Sequence, residues 1–205
     1  LVQFGWLYLD TMNIVNHHYN QSKIFPDILN LDLLEEYLKK DGKKVSAIIT
    51  EMPTNPLLKT VDIKRLRALC DEHNIPLVID TTFATPFNLN LEEYADIFVE
   101  SLTKFACGNA DVLMGAIILN KRHNLSHMSV EFFKHCESVY IKDIQRLATQ
   151  ITGYEKRVKS ISSNTKKLVE YFKTCSYIKD IYYCLNAENK ANYSQTMKDE
   201  NSLTG

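Results

Sequence analysis

The chain reads as an α/β protein with a mostly parallel sheet flanked by helices, and three observations carry that expectation. Apolar strand-like runs alternate with segments of helical period, the order of βαβ units. The runs Val45-Ser46-Ala47-Ile48-Ile49 and Ile75-Pro76-Leu77-Val78-Ile79 are near-continuous rather than alternating, as in strands buried on both faces. Turn-forming residues, Pro53-Thr54-Asn55-Pro56 above all, punctuate them. Crossovers between such strands are right-handed almost without exception.

The elements follow in order. Asp10 to Tyr19 is predicted as a short helix with Asp10 as its N-cap. Leu31 to Lys40 is a firmer helix, with Leu31, Leu33, Leu34 and Leu38 as its stripe and Gly42 as its stop. A buried strand over Lys44 to Met52 leads into the proline turn, and Asp62 to His73 forms an amphipathic helix with Ile63, Leu66, Leu69 and Cys70 inward. Strands ending at Asp80, spanning Asp96 to Glu100 and spanning Asp111 to Leu119 come next. Two long helices are expected over Val130 to Ile151 and Tyr154 to Cys175. Tyr177 to Cys184 then reads as a strand opening a new unit, and the polar stretch Asn186 to Leu203 as a mobile loop. The domain boundary is placed within the second long helix, giving a large domain over residues 1–165 and the beginning of a C-terminal domain over 166–205.

Composition narrows the function classes. Hydrophobic residues make up 45% and charged residues 24% of the 205 residues, the balance of a core-forming globular protein. A net charge of -1 gives no electrostatic draw toward nucleic acid. No apolar run approaches the roughly 18 residues of a membrane span. Five cysteines without a CxxC pair argue against a metal site and against a disulfide framework, and fit reduced thiols in a cytoplasmic protein. Cys107 reads as a small packing residue. The start at Leu1, without an initiator Met or a charged leader, reads as an internal piece of a longer protein.

The chemistry concentrates after two of the strands. Asp80 closes one, and Ser101-Leu102-Thr103-Lys104 follows another. Singly, an Asp ending a strand reads as a cap or turn residue, and a Lys beyond a strand as a solvated charge. Together they offer hydroxyls for a phosphate, an amine for a Schiff base and a carboxylate for a pyridinium nitrogen. Those are the needs of pyridoxal 5'-phosphate (PLP). Ligands of open parallel sheets bind beyond the carboxyl ends of strands, where both segments lie. Other charged groups read as surface: His17-His18, Glu35-Glu36, the Lys64, Arg65 and Arg67 face, and Lys156, Arg157, Lys159, Lys166 and Lys167 as a solvated or subunit-facing stripe.

The runs Glu51-Met52-Pro53-Thr54-Asn55-Pro56-Leu57-Leu58, Val78-Ile79-Asp80-Thr81-Thr82-Phe83-Ala84-Thr85-Pro86, Ser101-Leu102-Thr103-Lys104 and Gly108-Asn109-Ala110-Asp111-Val112 together resemble the trans-sulfuration family of PLP enzymes. Its members are cystathionine γ-synthase, the cystathionine lyases, methionine γ-lyase and the homoserine-ester sulfhydrylases. The resemblance implies the aspartate aminotransferase-like, fold type I large domain and the start of a small C-terminal α/β domain. It implies that Lys104 is the Schiff-base lysine and proton shuttle, Asp80 the partner of the pyridinium nitrogen, and Ser101 and Thr103 the phosphate-binding hydroxyls. Asn55 matches the turn asparagine near the cofactor ring oxygen and the substrate carboxylate. Phe4 aligns with the tyrosine that stacks on the ring.

Departures accompany the match. Phe4 lacks the tyrosine hydroxyl, Thr81 stands where asparagine is common, Asn109 replaces a histidine, and one residue is missing between Asp80 and Lys104. The family also uses an upstream Gly-Gly phosphate loop, a Tyr and an Arg from the neighbouring subunit, and a C-terminal arginine for the substrate carboxylate, none of which falls in this sequence. The resemblance favours γ-replacement on an O-acylhomoserine by a thiol such as cysteine, in a homodimer or homotetramer. Cystathionine cleavage, homoserine-ester sulfhydrylation and a non-catalytic relative remain as alternatives, and the 205 residues alone are expected to be inactive.

Overall fold

The computed structural model describes residues 1–19, 21–121 and 129–204. Its centre is a six-stranded sheet built from β1 (Val2–Phe4), β2 (Lys23–Phe25), β3 (Ile48–Glu51), β4 (Leu77–Asp80), β5 (Ile97–Ser101) and β6 (Gly115–Leu119). The strand order is β2-β1-β3-β4-β5-β6, parallel throughout except for β6, which pairs antiparallel to β5. The α/β expectation is met. The sequence pattern overlooked β2, whose three residues are too few to show a period.

Helices α1 (Leu9–His18), α2 (Leu31–Asp41) and α3 (Ile63–Glu72) supply the crossovers. The Asn30 side chain accepts from Leu33 N to cap α2, and Asp62 accepts from Arg65 N to cap α3, each satisfying an orphan amide of the first turn. Asp10 is not the cap of α1. It lies inside the first turn after Tyr8, where its charge favours the helix dipole. The inward faces of α2 and α3 and the strands form the main core, with Leu34, Leu38, Ile48, Ile63, Leu66, Leu77 and Ile79 almost fully buried.

Beyond β4 lies the short α4 (Thr85–Asn88). The predicted helix over 130–151 is two helices, α5 (Ser129–His135) and α6 (Ile141–Gln150), and a 3-10 turn over Ile151–Gly153 leads into α7 (Tyr154–Phe172). The helical pattern hid the break because Val139, Tyr140 and Ile141 keep an apolar run through it, yet all three side chains are exposed. A second core cluster, of Ala106, Cys107, Val112, Leu147, Tyr154 and Val158, glues the segment after β5 onto α6 and α7.

Two expectations for the C-terminal stretch are corrected. Tyr177 to Cys184 forms no strand. Residues 186–203 are not a loose loop, since they carry α8 (Lys190–Ser194) and fasten onto the main body. Asn189 Oδ1 accepts from Thr60 N, Asn192 donates to Thr60 O, and the buried Tyr193 hydroxyl donates to Ser202 O. Their polar side chains stand in for missing backbone partners, a role that a hydropathy pattern cannot display.

Candidate active site

The carboxyl ends of β3, β4 and β5 open on one cavity of about 510 Å³. The sheet register sets its floor, because Glu51 pairs with Asp80 and Asp80 with Val99 across adjacent strands. Lys104, Asp80, Ser101 and Asn55, four of the predicted site residues, line this cavity. A short chain of hydrogen bonds ties two of them. Thr82 N donates to Asp80 Oδ1 at 2.8 Å, and Ser101 N donates to the Thr82 hydroxyl at 2.9 Å.

The other two predicted residues are not among those lining it. Phe4 is fully buried in the main core at the end of β1. The Thr103 hydroxyl accepts from Met114 N at 3.3 Å, which helps close the loop that carries Lys104. That loop is further folded by Gly108 N donating to Lys104 O and Cys107 N donating to Leu102 O. Cys107 is a packing residue, buried beneath it.

Several lining residues went unrecognised in the sequence. Tyr8, an exposed aromatic four positions beyond Phe4, borders the cavity together with Phe83, Phe105 and Ile161. Its position just past the carboxyl end of β1 was the available signal. Arg157, read as part of a solvated stripe, instead reaches the cavity and donates to Phe105 O at 3.2 Å, to Ala106 O and to Gln150 O at 2.8 Å. Arg67, read as a surface charge, is buried against Asp96 at 2.7 Å. Side-chain direction on a helix decides both cases, and spacing alone placed neither.

Two buried carboxyls flank the cavity floor. Burial pushes the Glu51 carboxyl up to about 7, aided by the nearby Asp80 charge and opposed by amides donated from Tyr8 and Asn55. Glu100 is likewise raised, chiefly by burial, while the hydrogen bond from the Tyr154 hydroxyl works the other way.

An amine, a carboxylate and a hydroxyl on the wall of one cavity, at the carboxyl edge of a mostly parallel sheet, are the donor set that PLP requires. The cavity also has the size of a cofactor site. The residues present fit that group. In agreement, the chain belongs to the family of Cys/Met metabolism PLP-dependent enzymes, which it matches over residues 1–204.

Among its relatives, the L-2-amino-4-chloropent-4-enoate dechlorinase/desaturase of Streptantibioticus cattleyicolor is 32% identical over 94% of this chain and 39% of its own length. The cystathionine gamma-synthase of Neurospora crassa is 28% identical over 94% of this chain and 32% of its own. The chain thus spans under two fifths of either relative. A solved putative O-acetylhomoserine (thiol)-lyase from Campylobacter jejuni, holding N'-pyridoxyl-lysine-5'-monophosphate, superposes with a TM-score of 0.86 at 21% identity over 98% of this chain and 59% of that one. No helix among the described residues is long and apolar enough to cross a membrane.

Proposed function

We propose that the whole protein is a PLP-dependent enzyme of sulfur amino-acid metabolism that carries out γ-replacement on an O-acylhomoserine. The acyl group leaves the γ-carbon and a thiol such as that of cysteine takes its place. The observation that carries the reading is the convergence of Lys104, Asp80 and Ser101 on one cavity. When bound, PLP supplies an aldehyde that captures an amino group and a ring that stores electrons.

The chain's own residues do the rest. Lys104 would hold the cofactor and would carry the proton of the substrate α-carbon on its Nζ. Asp80 holds a proton at the ring nitrogen, its orientation fixed by Thr82 N. Ser101 would bind the phosphate, Thr103 would hold the loop behind it through Met114 N, and Asn55 would orient the substrate carboxylate. Tyr8, Phe83 and Ile161 narrow the cavity and exclude water. The role of ring-covering aromatic passes from Phe4, which is buried, to Tyr8.

The γ-synthase choice rests on the synthase of N. crassa and that of Saccharomyces cerevisiae, the latter 28% identical over 100% of this chain. Cleavage of cystathionine is the second reading, favoured by the cystathionine beta-lyase of Lactococcus lactis, 31% identical over 77% of this chain. A homo-oligomer in the cytoplasm completes the proposal, and the five free cysteines suit a reducing compartment.

The test is the absorption spectrum of the full-length protein with PLP, beside that of Lys104→Ala. A near-visible band that borohydride bleaches, and that the variant lacks, supports the assignment of Lys104. Product analysis with O-acylhomoserine plus cysteine, against cystathionine alone, then separates replacement from cleavage. A wild-type protein with no such band overturns the enzyme reading.

A further inference from the structure

Glu51 stands at the end of β3, buried, with each carboxylate oxygen engaged. Oε1 accepts from Tyr8 N and Oε2 accepts from Asn55 N at 3.2 Å. Tyr8 belongs to the loop between β1 and α1, and Asn55 to the turn after β3. Both residues line the cavity that holds Lys104 and Asp80. One side chain therefore joins two separate walls through their backbones. The Cβ-less Gly5, at φ 88°, lets the loop leave β1 toward it.

We propose that Glu51 is a positioning residue whose carboxylate ties the β1–α1 loop to the turn after β3, and so fixes the spacing of Tyr8 and Asn55 across the cofactor cavity. This deepens the PLP reading and rests on it for the ligand, but the tie itself is a property of the protein alone. Other backbone bonds hold each segment to its own neighbourhood, Gly5 N to Phe25 O and Thr54 N to Lys59 O, whereas Glu51 bonds to both segments at once. An ionised carboxylate offers two good acceptor oxygens. A protonated one offers a single good acceptor and an O–H, so one amide loses its partner.

The protonation state is accessible, because burial raises Glu51 to about 7. The charged or titratable groups around it are Asp80 on β4, which raises it further, the Tyr8 phenol on the loop, and Lys104 and Arg157, which line the same cavity. Two consequences run in opposite directions with pH. Below neutral pH the neutral carboxyl costs less to bury, so the fold as a whole gains stability. At the same pH the tie between loop and turn loses one of its two hydrogen bonds. A residue that serves only the fold moves global stability alone.

Trp6 provides the readout. It is the single tryptophan of the chain, lies two residues from Tyr8 and is 58% exposed. It also shares a cavity of about 360 Å³ with Asn55, Pro56 and Leu57 of the tied turn, so its surroundings report the distance between the two segments.

The experiment is emission and acrylamide quenching of the full-length protein between pH 5 and 9, without cofactor, for wild type, Glu51→Gln and Glu51→Asp. Each is taken as the difference from the same protein carrying Trp6→Phe, so that the signal is that of Trp6 alone. Circular dichroism checks that each variant is folded. The wild type is expected to show a step near pH 7, with quenching greater on the acid side, while thermal stability changes in the reverse sense. Glu51→Gln, which keeps one acceptor oxygen, is expected to hold the acid-side value at all pH. His17 and His18, at the far end of α1, are unchanged in the variant, so the difference isolates Glu51. PLP titrations should show affinity weakened about tenfold in Glu51→Gln, the loss of one hydrogen bond to a charged group, with Glu51→Asp intermediate. Wild-type quenching without a pH step, or a Glu51→Gln protein with wild-type quenching, overturns the proposal. A wild type that takes up no PLP overturns the cofactor reading, and the tie then stands or falls on the Trp6 step.

Discussion

Arg157 lies directly over Gly108, so close that a Cβ on the glycine would stand 2.5 Å from the arginine Nε. The approach lets the guanidinium reach the carbonyls of Phe105 and Ala106, the two residues after Lys104, while also holding Gln150 O at the end of α6. Together with Asp111, which accepts from Arg146 and Gln150, it straps the Lys104 loop onto the helical layer.

Gly108→Ala should therefore be costly on two counts. Its φ of 80° is a left-handed conformation that costs an L-residue about 1–2 kcal/mol, and the new methyl displaces Arg157. A loss of about 1–3 kcal/mol by urea denaturation is expected. Arg157→Lys should fall in the same range, because a lysine keeps the charge but not the fork that spans three carbonyls.

Arg67 and Asp96 form a buried pair at 2.7 Å, and Asp96 also accepts from Leu77 N at 2.6 Å, joining α3 to the starts of β4 and β5. Asp96→Ala leaves the buried arginine only the part-exposed Asp71, at 2.9 Å, as a carboxylate partner and takes the acceptor from Leu77 N, so a destabilisation of about 3–5 kcal/mol is expected. At this chain length that corresponds to roughly 6–20 °C in Tm, measured by thermal unfolding.

Asp80→Asn removes the negative charge at the cavity floor and leaves an amide of nearly the same shape. Under the proposed function, turnover of the full-length protein with an O-acylhomoserine and cysteine should drop roughly 10- to 150-fold, the worth of one charged hydrogen bond. Stability should change by less than about 1 kcal/mol. Steady-state kinetics beside chemical denaturation measures both, and unaltered turnover would remove Asp80 from the mechanism.

Glu51 gives the pH dependence a definite sign. Its folded value of about 7 lies above the ordinary 4.5, so the native state holds the proton more tightly than the unfolded chain does. The stability it contributes is fully present below pH 4.5 and is lost as pH rises through 7. Glu100, also raised, adds a contribution of the same sign. Denaturation midpoints should fall across this window in wild type and fall less in Glu51→Gln.

Much of this architecture was legible in the sequence. The continuous apolar runs that end in Glu51 and Asp80, and the capped helices begun by Asn30 and Asp62, follow local rules of burial and hydrogen bonding that neighbours in the chain satisfy. So does the placement of Asp80 and Ser101 at strand ends. The breaks around Cys136 to Tyr140, and the docking of Asn189 and Asn192 on Thr60, depend on partners more than 50 residues away or on solvent, which no local period encodes.

By itself, then, the sequence determined the longer elements, β3, β4, β5, α2 and α3, and the arrival of Asp80, Ser101 and Lys104 at the carboxyl edge of the sheet. These follow from local periodicities of two and 3.6 residues, whereas the three-residue β2 and the short α8 do not. Only the tertiary structure decided which of those groups share a cavity. It sent Phe4 into the core and Tyr8 to the cavity rim, turned Arg157 toward the Lys104 loop, and set Glu51 beside Asp80. The reason is physical: the direction of a side chain and the pairing of strands are fixed by packing between distant parts of the chain, where burial and unsatisfied hydrogen bonds outweigh local preference.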